Sequence, residues 1–176
     1  MSASSVLLML SALLPVPGGP ALQDTVLNPS FEQVAEATGL PVDWDPWHTP
    51  SAAAYSLADA RTGVACVAVL DEGADVSYGL RCQPVKIEPG ATYRASAWVK
   101  ILRLEQGGFA VYLEFWRGGR RVADTARSLE QAEDWAQIVV ENAAPEGAEA
   151  ATVLVYSSSA TVGHALFDDA ALERVR

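Results

Sequence analysis

The chain is poor in the residues that reactive chemistry most often uses. It holds two histidines, His48 and His164, and two cysteines, Cys66 and Cys82, among 176 residues. With no C-x-x-C spacing, a tetrahedral zinc site has no ligand set. No G-x-S-x-G occurs, so a nucleophile elbow is missing. Lysine is scarce, and the formal net charge is −10. A surface built for nucleic acid or anionic membrane needs concentrated Lys and Arg, so both partners are excluded, while neutral and cationic ligands stay open. The excess of Arg over Lys and the abundance of Ala fit a GC-rich bacterial genome and carry no function. No stretch keeps a helical period, and no apolar run is long enough to span a bilayer.

What is present begins with a leader. The first twenty residues are uncharged, and Val6 to Leu14 form a short apolar run followed by Pro15-Val16-Pro17-Gly18-Gly19-Pro20-Ala21. Residues 1–21 therefore read as a signal peptide without the usual basic start, the alternative being a disordered tail. Residues 22–176 match one domain able to bury a core of its own. The expected product is soluble, monomeric and secreted, extracellular or periplasmic.

Beyond residue 60 the pattern is repeatedly that of strands: Val64–Leu70, Val76–Ile87, Tyr93–Leu104, Phe109–Trp116, Arg121–Arg127, Ala136–Glu141, Ala150–Ser157 and Ala165–Val175. Turn residues punctuate them, as in Glu88-Pro89-Gly90, Gln106-Gly107-Gly108, Arg117-Gly118-Gly119 and Ala144-Pro145-Glu146-Gly147. The connections are too short for crossover helices, so the expected fold is all-β, one antiparallel sandwich or jelly roll of about 8–10 strands. Cys66 and Cys82 fall on two of these runs, with turn chemistry at Asp71 to Asp75 between them. A hairpin would put them opposite one another, and in an exported protein such a pair reads as a structural disulfide.

The clearest strand is Phe109 to Trp116. Side chains alternate along a strand, so Phe109, Val111, Leu113 and Phe115 take one face and Tyr112, Glu114 and Trp116 the other. The first set belongs in a core. The second sets two aromatics around a carboxylate on a face that water or a ligand must cover.

From Asn28 to Arg174 the chain resembles the carbohydrate-binding modules of the family 4, 9 and 22 type, within the galactose-binding-like jelly rolls. The resemblance rests on Asn28, Phe31-Glu32, Pro41 to Trp44, Thr62-Gly63-Val64, Pro89-Gly90 to Tyr93, Trp98-Val99-Lys100, Trp135 and Phe167-Asp168-Asp169, in that order. It implies a structural calcium where the first and last strands meet, held by Glu32 with Asp168 or Asp169 and by backbone carbonyls near Asn28 and Gly63, a shell suited to a hard cation. The competing reading is that these acids only cap turns. It also implies binding of a polysaccharide or oligosaccharide, through aromatic faces set beside a few polar groups. Candidates for that role are Tyr112, Glu114 and Trp116 on the strand, Arg94 on a neighbouring strand, and Trp47, His48 and Tyr55 on a loop. Trp44, Trp98 and Trp135 match scaffold positions.

Three functions remain after this reading: a non-catalytic glycan-binding module, free or associated with a separate hydrolytic enzyme; an extracellular structural or adhesive jelly roll contacting protein; and a small hydrolase. Nothing marks a catalytic carboxylate pair, and the strands use up most of the chain, so the expectation is binding without catalysis.

Overall fold

The structure, a computed structural model, describes residues 25–47, 53–56 and 59–176, the 53–56 segment in its backbone alone. The leader and His48 lie outside the described residues. Among those described there is no helix, and thirteen strands carry the fold. They are β1 (Val34–Ala35), β2 (Leu40–Pro41), β3 (Trp44–Trp47), β4 (Ala53–Ser56), β5 (Cys66–Asp71), β6 (Gly79–Cys82), β7 (Val85–Lys86), β8 (Thr92–Gln106), β9 (Phe109–Arg117), β10 (Arg120–Leu129), β11 (Ala136–Ala143), β12 (Ala150–Ser157) and β13 (Val162–Arg174).

Two sheets form an antiparallel sandwich. One has the order β10-β9-β12-β6-β3, with β7 also paired to β12, and the other has the order β11-β8-β13-β5-β4. β1 and β2 make a separate short ribbon. Period-2 alternation builds the core from both sheets: Phe109, Val111, Leu113 and Phe115 from β9 meet Val67, Val69, Val99 and Phe167 from the facing sheet, all fully buried. Phe109 and Phe167 touch edge to face across the layers, with ring centres 6.2 Å apart. That contact adds orientation to the area burial.

The expected Val76–Ile87 strand is broken in two. Pro84 lacks an N–H, and β12 pairs with β6 through Leu154 to Tyr156 but with β7 only at Ala150 and Ala151. In the gap, the Val153 N–H donates to the Cys82 sulfur at 3.1 Å. The thiol thus satisfies a backbone donor that the ladder leaves behind.

The disulfide expectation is overturned. No bridge joins Cys66 to Cys82. β5 pairs with β13 and β4, whereas β6 pairs with β12 and β3, so the segment after Asp71 carries the chain from one sheet to the other instead of closing a hairpin. Val67 and Val69 face the core, which turns Cys66 to the outer side of its sheet, while Cys82 points inward with Leu80. Burial pushes the Cys82 thiol up to about 12. It stays protonated and unreactive while the fold holds.

Gly79 sits where β6 runs close against β12. A Cβ there would collide with the Val155 carbonyl oxygen. Gly79→Ala should therefore lower stability by about 1–3 kcal/mol through forced overpacking, read as a shift in the denaturation midpoint; an unchanged midpoint would contradict the close approach.

Candidate functional site

Glu114 organises the outer face of the six-stranded sheet. It stands on β9 opposite Thr152 of β12 and Asp124 of β10, and although it points away from the sandwich core its side chain is fully buried. A buried carboxylate has to be paired and hydrogen-bonded. Oε2 accepts from Arg81 Nε at 2.6 Å and from Thr152 Oγ1 at 2.8 Å, and Oε1 accepts from Arg81 Nη2 at 3.0 Å and from Arg121 Nη1 at 2.8 Å. The bond to Glu114 holds the Arg121 guanidinium above its ordinary value, against its partial burial. The fork from Arg81 is the two-point geometry that a planar guanidinium offers a carboxylate.

Aromatic side chains surround this ion cluster. Tyr112 and Trp116 lie on the same outer face of β9, each partly exposed. Trp116 Nε1 donates to Thr152 Oγ1 at 2.9 Å, so Thr152 links the indole to the Glu114 carboxylate. Trp47 of β3 and Tyr156 of β12 flank Gly79 in register, and the missing side chain lets their rings approach edge to face with centres 6.1 Å apart. Tyr156 in turn meets Tyr112 at 5.3 Å and 80°. Burial pushes the Tyr112 phenol above its ordinary value, and it remains a neutral hydroxyl. The Arg81 guanidinium lies 4.3 Å from the Trp47 ring centre and 4.9 Å from that of Trp116. Beside it a groove of about 570 Å³ is lined by Asp45, Arg81, Gln83, Trp116, Glu149 and Thr152, among others. Stacking surface and hydrogen-bonding groups of both kinds therefore meet in one concave place.

Of the residues proposed from sequence, Trp47, Tyr112, Glu114 and Trp116 are brought together, but Glu114 has a different part from the one expected. Its oxygens are all taken and it is buried, so it cannot meet a ligand directly; it holds the arginines that can. Arg94 does not belong to this face. It lies on β8 in the opposite sheet, where it pairs with Glu141 at 2.6 Å and lies 4.0 Å from Glu173. Adjacency in sequence misled here: β8 and β9 are consecutive but enter different sheets. Tyr55 is on β4, also in the opposite sheet, paired in register with Val67. Arg81, Arg121, Thr152 and Tyr156 were missed. Alternation along Ala150–Ser157 places Thr152 and Tyr156 on one face, but only the pairing of β12 with β9 tells which residues that face accompanies.

The two terminal segments also meet. The Ala170 N–H donates to the Pro29 carbonyl at 2.9 Å, and both segments close on residues 61–65. Asn28 (φ 46°) and Phe31 (φ 57°) adopt left-handed conformations that drive Phe31 into the core, against Trp44 at 4.8 Å. Glu32 is left to accept the N–H groups of Val64 and Ala65 at 3.1 Å each. Asp168, fully buried, accepts those of Arg61 at 2.8 Å and Thr62 at 3.1 Å. Asp169 takes the Arg61 guanidinium at 2.6 Å, the Thr62 hydroxyl at 2.7 Å and the Ser30 hydroxyl at 2.8 Å. Burial pushes Asp168 up to about 6, against the backbone bonds it accepts. Burial works on Asp169 in the same direction, but the bonds from Thr62, Ser30 and Arg61 outweigh it and hold that carboxyl below the ordinary range. Arg61 also covers the Trp98 ring at 3.7 Å. Among the described residues, no group of three or more His, Cys, Asp or Glu gathers around one point.

Removing the Glu114 carboxylate would leave two arginines without their common partner. Glu114→Ala should cost about 2–4 kcal/mol, less than a wholly interior pair because Arg81 and Arg121 retain some solvent. Chemical denaturation measures it; a loss below about 0.5 kcal/mol, the size of an ordinary surface substitution, would mean the cluster does not hold the sheet together.

With this geometry in place, likeness to known proteins is informative. A family profile described as a carbohydrate binding domain matches residues 23–161. No curated protein sequence matches the chain. Among solved structures, the enzymatically active domain of the bacteriophage CBA120 tailspike protein 4 aligns at TM-score 0.60 and 13% identity over 76% of this chain, which spans only 20% of the tailspike chain. A family 61 carbohydrate-binding module in complex with β-1,4-galactotriose aligns at TM-score 0.56 and 23% identity, covering 86% of this chain and 99% of that one. A xylan-binding family 22 module of Paenibacillus barcinonensis aligns at TM-score 0.57 and 12% identity, covering 89% and 98%. At these identities the likeness is one of fold.

Proposed function

The chain belongs to the carbohydrate binding domain family, and from that premise we propose that it is an exported, non-catalytic module that binds a polysaccharide or oligosaccharide on the outer face of its six-stranded sheet. The observation that supports this reading is the cluster of four partly exposed aromatics, Trp47, Tyr112, Trp116 and Tyr156, around the Arg81–Glu114–Arg121 network and beside an open groove. Sugar rings present C–H surfaces that lie against aromatic faces, while hydroxyls pair with guanidinium, amide and carboxylate groups. Asp45, Gln83 and Glu149 supply those polar groups along the groove.

Binding is favoured over hydrolysis by the state of the acids. A glycosidase needs two carboxylates facing one bond, one of them free to give a proton. Here the carboxylate at the centre of the face is sealed beneath its arginines, and the Asp45 and Glu149 carboxylates already accept from Gln83 Nε2 at 2.9 Å and the Gly118 N–H at 2.6 Å. Export rests on the apolar leader. Association with a separate hydrolytic enzyme is the setting in which such a module is useful.

Pull-down on insoluble polysaccharides and titration with soluble oligosaccharides test the reading. The wild-type chain should bind at least one neutral glycan, and Trp116→Ala should weaken that binding by roughly 1–3 kcal/mol, as loss of a stacking platform does elsewhere, with the fold intact. Failure to bind any glycan, or unaltered affinity in the variant, would sink the assignment of this face.

A structural calcium at the meeting of the chain ends is part of the proposal. Glu32 and Asp168 would hold it, with backbone carbonyls near Asn28 and Gly63 completing the oxygen shell. Two observations fit a cation there. Asp168 is a buried carboxylate whose charge burial opposes, and Gly63, where a Cβ would collide with the Glu32 carboxylate, lets that carboxylate lie against the backbone. Asp169 is already neutralised by Arg61, so Asp168 is the better ligand of the pair. When bound, calcium would supply positive charge and tie the first segment to the last strand. A ligand that binds only the native state adds about 2.7 kcal/mol at a hundred times its Kd. Calcium should therefore raise the melting temperature, chelator should reverse the rise, and Glu32→Gln should abolish most of it; indifference to both would remove the metal from the reading.

A further inference from the structure

Arg81 has an unusual choice of partners. Its register neighbour across β3 is Asp45, a carboxylate on the same face, yet the guanidinium turns the other way and reaches over β12 to Glu114 on β9. Asp45 instead accepts from Gln83 Nε2. The reach sets the guanidinium against two indoles of the same outer face that come from non-neighbouring strands, Trp47 on β3 and Trp116 on β9. Nε and Nη2 are consumed by Glu114, and the side chain is 21% exposed.

We infer that Arg81 is a positioning residue for the glycan face, fixing the two indoles relative to one another so that their free surfaces form one platform. The inference rests on the glycan reading above and names the group that prepares the site. Its chemistry requires arginine. A planar guanidinium offers two donors in a fixed fork to Glu114 while both of its faces remain for aromatic rings; an ammonium is a point charge that does neither. Glu114 acts through Arg81: the carboxylate sets the orientation of the fork, and the fork sets the spacing of the rings. Trp116 has a second restraint in Thr152, and Trp47 has one in Tyr156. Arg81 touches both indoles.

The test compares Arg81→Lys, Trp116→Ala and the double variant with the wild-type chain, using xylohexaose and β-1,4-galactotriose as probes. Two readouts are taken: affinity, and the tryptophan bands of the near-ultraviolet circular dichroism spectrum without sugar. Arg81→Lys should change the tryptophan bands while the chain still unfolds cooperatively, and should weaken binding about tenfold. Because residues that act through one another are not additive, the same substitution should cost clearly less, about twofold, when Trp116 is already absent. Unchanged bands would overturn the inference, and so would affinity losses that simply multiply, since Arg81 would then meet the sugar on its own account. Should the Arg81→Lys chain fail to fold, Arg81→Gln is read in the same way. Absence of binding to any glycan by the wild-type chain overturns the glycan reading itself, and shifted bands in that case still assign Arg81 to holding the indoles.

Discussion

A carboxylate buried on the outward side of a sheet constrains everything near it. Glu114 has no access to water, so its charge must be met by donors from the strands around it, and those donors come from β6, β10 and β12. Four strands of one sheet are thereby tied through a single side chain. The arrangement costs desolvation that an apolar residue would avoid, so it is better understood as a device for orientation than as a source of stability. What it orients is the aromatic surface: through Arg81 it reaches both indoles, and through Thr152 it reaches the ring nitrogen of Trp116.

The meeting of the first and last segments solves a different problem. A sandwich whose first and last segments meet must join backbones that are far apart in sequence, and the chain does so by laying carboxylates from both ends onto successive N–H groups of residues 61–65. Left-handed residues at Asn28, Phe31 and Asp169 bend the two segments toward that shared strip. The strip therefore serves as the closure of the fold, and the same first segment reaches β3 of the other sheet through Trp44, whose Nε1 donates to the Leu27 and Asn28 carbonyls.

Much of the fold was legible in the sequence because strand alternation is a local property. Ala150–Ser157 has the bounds expected of it, and the inner and outer faces of β9 follow from period two alone. The short strands before residue 57 were not legible, since two to four residues carry too little pattern to distinguish a strand from a loop. Val76–Ile87 reads as continuous in the sequence because its apolar content runs through Pro84; the break arises from the pairing of β12, which the run itself does not contain.

The sequence by itself determined the all-β class, because composition, period and turn chemistry act over a few residues at a time, and the meeting of the first and last segments came with the family resemblance. Tertiary structure alone decided which strands became neighbours, and every correction follows from that. Cys66 and Cys82 parted because the chain changed sheets at Asp71. Arg94 and Tyr55 fell on the far sheet, while Tyr156 arrived beside Tyr112 and Arg81 beside Trp116 from strands distant in sequence. The physical reason is that strand pairing is a contest among all strands for a partner and a buried face, settled by core packing across the whole sandwich and not written in any one segment.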